Sequence, residues 1–197
     1  MRHFAVFCVM TLTTYAFADE VARSVDASQF EVAGIKLGMS PAEAVAAVSS
    51  KLRIDKRSVK FDPYPAVNQI TNSRQPQYFT ATNGSGTITV HLIPRVPPSQ
   101  SQPILVGHVR YEMPWTPDNA RSMKASALEK YGQPSNGLIS ARSDWCLQPD
   151  KNLGIGCGEF RGATLKISGV TLDLEDPSYQ HAVIDYLNKI NSTKPAF

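Results

Sequence analysis

The sequence has little charge and few cysteines, and it holds none of the short motifs that identify a reaction. Charged residues make up 19% of the 197 positions and the formal net charge is +3. This weak balance argues against a nucleic-acid binder, which carries a strong basic face. A catalytic serine would call for a strained G-x-S-x-G turn. The nearest segment, Gly84-Ser85-Gly86, has neither that spacing nor a following helix and reads as a hairpin turn. Gly154-x-Gly156-x-Gly158 lacks the helix whose N-terminus would hold a phosphate, so no nucleotide loop is expected. No cofactor and no catalytic residue set follow from the residues.

The one long apolar run stands at the start. Arg2 and His3 precede an apolar stretch from Phe4 to Val9, diluted by threonines up to Tyr15, and Ala16-Phe17-Ala18 makes a small-x-small site before Asp19 and Glu20. That order is the pattern of a cleavable signal peptide over residues 1–18. A membrane anchor would need about 20 mostly apolar residues. Cys8 lies inside the apolar stretch rather than behind a small-residue box, so lipid attachment there is not expected. The expected product, residues 19–197, is a soluble periplasmic or secreted chain, large enough to bury a real core as one domain.

Of the three cysteines, Cys146 and Cys157 remain after cleavage. They are spaced too widely for a C-x-x-C redox motif and no histidine lies nearby in sequence. Pro149, Asp150, Asn152, Gly154 and Gly156 between them are turn formers, so a structural disulfide is expected. Closing such a loop contributes roughly 3 kcal/mol in the chain-entropy picture.

The element pattern predicts an α+β class, a mainly antiparallel sheet with helices packed on one face. Residues 30–37 read as a short strand or extended lead-in. Ser40-Pro41-Ala42-Glu43 is a capping box with proline at the first helical position, opening a helix to about Leu52. Residues 62–74 read as a long turn-rich loop with room for a short helix or strand. Strands are expected at Gln77–Thr82, Thr87–Ile93 and Ile104–Met113, the last with Leu105, Val109, Tyr111 and Met113 on one face and His108, Arg110 and Glu112 on the other. Thr116-Pro117-Asp118 starts a second helix ended by Gly132 and Pro134, and strands follow at 143–148, 156–160 and 163–174. A last helix opens at Asp176-Pro177 and should bury Tyr179, Val183, Tyr186, Leu187 and Ile190. The similar starts at 40–44 and 116–120 suggest a division into αβ units 19–113 and 114–197, although shared capping chemistry would produce the same likeness.

The segment Gly34-Ile35-Lys36-Leu37-Gly38-Met39-Ser40-Pro41-Ala42-Glu43-Ala44 resembles the L-G-M-[ST]-x-x-[EQ] stretch of one superfamily. That superfamily contains the small lipoprotein of the outer-membrane barrel-assembly machine and the β-lactamase inhibitory proteins. The resemblance covers about a tenth of the chain and implies an α+β module, often tandem, that binds other proteins and catalyses nothing. The chain departs from the lipoprotein branch in having no lipid-attachment cysteine after the signal, and no binding residue carries over.

Three sets of side chains are candidates for a site. His91 and His108 fall on the polar faces of neighbouring strands, where they could share a metal with a third ligand such as Glu112 or form a pH-sensitive pair; solvent-facing histidines are the plainer account. Lys51, Arg53, Lys56, Arg57 and Lys60, opposed only by Asp55, could contact an anionic lipid surface, a wall polymer or an acidic partner, or simply form a solvated helix end. Trp115 and Trp145 are either partner anchors or core, with Trp145 expected to pack over the disulfide. An envelope or extracellular protein-binding module, as adaptor, inhibitor or assembly factor, is the first expectation. A small hydrolase built on carboxylates such as Asp118, Asp144 and Glu159, and a lipid or small-ligand carrier, are the alternatives.

Overall fold

Each of the three segments that open on a cap and a proline forms an α-helix in the computed structural model, which describes residues 21–138, 142–158 and 160–192. The expected signal segment with Cys8, and Glu159, lie outside the described residues. Helix α1 spans Pro41–Leu52. Its capping box is complete: the Glu43 amide donates to Ser40 Oγ at 3.3 Å and the Ser40 amide donates to Glu43 Oε2 at 2.8 Å. These bonds satisfy donors that a helix start leaves unpaired. Helix α2, Pro117–Tyr131, is capped by the Thr116 side chain and stops at Gly132, whose φ is 76°. Helix α3, Pro177–Ser192, opens where the Asp176 side chain accepts from the Ser178 amide at 2.9 Å.

Among the described residues nine strands follow the expected spacing in part: β1 Lys60–Phe61, β2 Ala66–Asn68, β3 Ser73–Gln75, β4 Tyr78–Asn83, β5 Gly86–Pro94, β6 Ile104–Glu112, β7 Ser143–Cys146, β8 Thr164–Ser168 and β9 Thr171–Glu175. Strands β2 and β3 form a hairpin of their own, and the other seven make one antiparallel sheet in the order β1-β4-β5-β6-β9-β8-β7. Helix α1 therefore precedes the meander β4-β5-β6, helix α2 precedes the meander β7-β8-β9, and the last strand of each meets the other at the middle of the sheet.

Register explains why the sheet has one dry and one wet side. Across all seven strands Phe61, Phe79, Val90, Val109, Leu174, Leu165 and Trp145 lie opposite one another in a single apolar row. The adjacent row is Lys60, Thr80, Thr89, Arg110, Asp173, Lys166 and Asp144. Side chains alternate across a strand, so one row builds the core and the next points away from it. Ala44 and Val48 of α1 and Met123 and Ala127 of α2 join the core. Helix α3 packs against β5 and β6.

The structure corrects several expectations. Residues 32–35 form a tight turn closed by a Val32–Ile35 bridge rather than a strand, because Ala33 and Gly34 both take positive φ. The 62–74 segment, expected as a loop with room for a short helix or strand, carries β2 and the start of β3. Residues 163–174 break into β8 and β9 at Gly169, whose φ is 59°. The 156–158 segment is turn, so Cys157 reaches Cys146 from a coil and not from a paired strand. A bulge between His91 and Leu92 pairs Leu92 with Val106 and skips Gly107. Leu105 consequently sits opposite Ile93, on the side away from Val109. Of the apolar stripe of α3, only Val183 is fully buried.

Candidate functional site

Two histidines meet on the wet side of the sheet because β5 and β6 pair around the 94–103 connection. His91 and His108 are register partners, and their rings stack with centroids 5.1 Å apart and planes 9° from parallel. The centroid of Tyr78, opposite His91 on β4, is 6.4 Å from it on the other flank. On the far side of His108 stands Asp173 of β9. Asp173 Oδ1 is 2.7 Å from His108 Nε2 and accepts from Arg110 Nε at 2.8 Å. The four side chains of β5, β6 and β9 thus form one line, His91, His108, Asp173 and Arg110.

The electrostatics of this line are asymmetric. Partial burial of Asp173 by itself raises its carboxyl pKa, but hydrogen bonds from His108 and Arg110 and the Arg110 charge outweigh it and leave the group below 3.8. For His91 the shift is downward from 6.5. Burial is the largest cause, the charges of His108 and Arg110 add to it, and Asp173 opposes it. His108 is held by a carboxylate, whereas His91 stands between the rings of Tyr78 and His108.

His91 also forms one wall of a cleft of about 380 Å³. The floor is apolar, from Leu92, Ile93, Ile104 and Val183, and the rim carries the amides of Gln69, Gln75, Gln77 and Gln180. The cleft lies between the β2–β3 hairpin, the end of β5 and helix α3. Among the described residues that line it there is no acidic, lysine, arginine, serine, threonine, tyrosine or cysteine side chain, so His91 is its one titratable group. Ile93 can lie over the β6 backbone because residue 107 is glycine: a Cβ there would come within 2.7 Å of Ile93 Cδ1. The bulge, the glycine and the cleft floor are one local solution.

The metal expectation finds little support in this arrangement. No group of three histidine, cysteine or carboxylate side chains able to hold a metal ion occurs among the described residues. Glu112 pairs with Thr87 and Thr171, four residues along β6 from His108, which is roughly 13 Å away at strand spacing.

The other candidates fall elsewhere. Lys51, Arg53, Lys56, Arg57 and Lys60 are all exposed at the end of α1 and the following turn, and Arg57 pairs with Asp55 at 2.7 Å. Trp115 is 73% exposed, which corrects its reading as core. Register places it three strands across and five residues beyond the row of Lys60, on the order of 20 Å away, so it does not join the basic group. Trp145 is wholly buried beside Cys146, with its indole N–H donating to the Gly132 carbonyl at 3.1 Å.

Cys146 and Cys157 are disulfide-bonded, with Cα atoms 6.0 Å apart. Of the carboxylates named for a hydrolase, the two described ones are engaged in separate local pairs. Asp118 is exposed and paired with Arg121, while Asp144 is fully buried and engaged by Arg142 and by the Cys157 amide. Asp144 therefore fastens the disulfide loop.

Sequence reading missed Asp173, Tyr78 and the glutamine rim. Asp173 was within reach, since it is the polar residue between Leu172 and Leu174 on a strand that alternates. The glutamines come from three separate elements, and no linear pattern links them. No protein-family model matches the chain, and neither the curated proteins nor the solved structures yield a match.

Proposed function

We propose that the chain is an exported, non-catalytic protein-binding module whose cleft beside His91 accepts an extended, uncharged segment of an envelope or extracellular partner. The observation that carries this reading is the lining of the cleft: an apolar floor, an amide rim and no charged group or nucleophile among the described residues. A hydrolase would need a nucleophile or a positioned carboxylate there. A carrier would need an enclosed apolar cavity, whereas this cleft is open along its length. Glutamine amides both donate and accept, so they match the alternating N–H and C=O groups of an extended backbone, while the floor takes every second side chain. The disulfide supports an oxidising compartment, and the signal-like start supports export. No helix among the described residues is long and apolar enough to cross a membrane. The resemblance at residues 34–44 implies the same class.

Affinity capture from an envelope extract tests the reading. The wild-type chain should recover one partner in near-stoichiometric amount, and Gln180→Trp, which fills the cleft from exposed helix surface, should lose it. Equal recovery by both chains would place binding elsewhere, and recovery of nothing by the wild type would count against the module itself.

A further inference from the structure

We propose that the cleft releases its occupant on mild acidification, with His91 as the proton-sensitive wall and the hydrogen-bonded His108–Asp173–Arg110 group as its fixed neighbour. This rests on the reading of the cleft as a binding site.

The geometry separates the two stacked rings into unlike roles. His108 is anchored, its Nε2 2.7 Å from Asp173, which also takes both Arg110 Nε at 2.8 Å and Nη2 at 3.4 Å. His91 lies on the cleft side of this anchor, between the ring of Tyr78 from β4 on one flank and that of His108 from β6 on the other. The charged and titratable groups facing it are therefore Tyr78 from β4, His108 and Arg110 from β6, and Asp173 from β9, the last already engaged by His108 and Arg110. From α3 the cleft receives Gln180 and Val183, neither of which can balance a charge.

A proton on His91 consequently has no carboxylate of its own. It places a cation 5.1 Å from a second imidazole and beside a guanidinium, in a cleft without an acidic side chain. With the cleft empty, the exposed ring edge can still be hydrated. An uncharged occupant strips that water and brings nothing to replace it, so the occupied cleft disfavours the protonated ring more than the empty one does. Linkage then fixes the sign: the free form binds the proton better, and acidification weakens binding. The fall is about tenfold per pH unit below the His91 titration of the free protein, until the occupied form protonates as well. The position of His91 at the β5 bulge joins this charge to the cleft wall, since Leu92 and Ile93, the next two residues, are its floor.

Two measurements on the full chain test the proposal. In an NMR titration, the side-chain amides of Gln77 and Gln180 should shift with the same midpoint as the His91 ring, and the step should vanish in His91→Gln. In His108→Gln the His91 midpoint should move up, because one of the neighbours that lower it is gone. Partner capture should be strong at neutral pH, weaken below the His91 midpoint found in the titration, and be pH-independent in His91→Gln. Amides that ignore the His91 titration, or a pH effect that survives His91→Gln, would overturn the proposal. Failure of the wild type to capture a partner at neutral pH, with the amide step intact, would instead count against the partner reading and leave the proton-sensitive wall standing.

Discussion

Asp144 has no exposed side-chain surface, and the residues around it show what a buried carboxyl group requires. Arg142 approaches with Nε 2.8 Å from Oδ1 and Nη2 2.8 Å from Oδ2, and the Cys157 amide donates to Oδ2 at 3.2 Å. A buried carboxylate is tolerable only when paired and hydrogen-bonded in this way. Gly156 completes the arrangement. Its φ of 64° is left-handed, and a Cβ at that position would collide with Asp144 Oδ2. Gly156→Ala should therefore lower stability by about 3 kcal/mol, combining left-handed strain with a displaced ion pair. Gly154→Ala, outside the left-handed region, should change stability by less than about 0.5 kcal/mol. Denaturant midpoints of the two variants give the comparison. Equal midpoints would show that Asp144 can move without loss.

At the scale of the element, caps were legible and interruptions were not. Ser40, Thr116 and Asp176 announced all three helix starts because capping is chemistry between neighbours in sequence. The disulfide was legible for a similar reason, from spacing and turn formers. Alternation located β5 and most of β6, and it placed His91 and His108 opposite each other. It failed at Gly107, since a bulge is a relation between two strands and leaves no periodic trace in either one; the error put Leu105 on the wrong face. Over residues 62–74 it left helix and strand undecided, since the three residues of β2 are too few to show a period. The cleft was illegible altogether, because Gln69, Gln77 and Gln180 converge only through tertiary packing. Gly107→Ala tests whether the bulge sets the cleft floor. The added methyl must push Ile93 aside, which should cost about 1 kcal/mol and reduce partner capture. A variant that loses stability while binding normally would separate the bulge from the site.

For the whole molecule the decisive contact is the ladder in which β6 meets β9, running from His108 opposite Glu175 to Glu112 opposite Thr171. This seam joins the meander after α1 to the meander after α2, and it also brings Asp173 to His108. The wet-side line of charges thus exists only when both halves of the chain are present. Sequence likeness between the two helix starts pointed toward two units but held no information on how their strands would meet.

The seam also constrains the order of events during synthesis. Strand β6 is complete once residue 112 has emerged, but the strand that covers its second edge lies some sixty residues later. In that interval the first meander presents His108–Glu112, the five residues that later pair with β9, as uncovered edge backbone, while Val106 is already bonded to Gly38 and Met39; such an edge is a template that a passing strand could extend. Chains ending shortly before Thr171 should therefore sediment as aggregates, while the full-length chain remains monodisperse; a monodisperse truncated chain would mean that the edge is shielded by other means. If the chain is handed across a membrane, whatever receives it must guard that edge until β9 arrives.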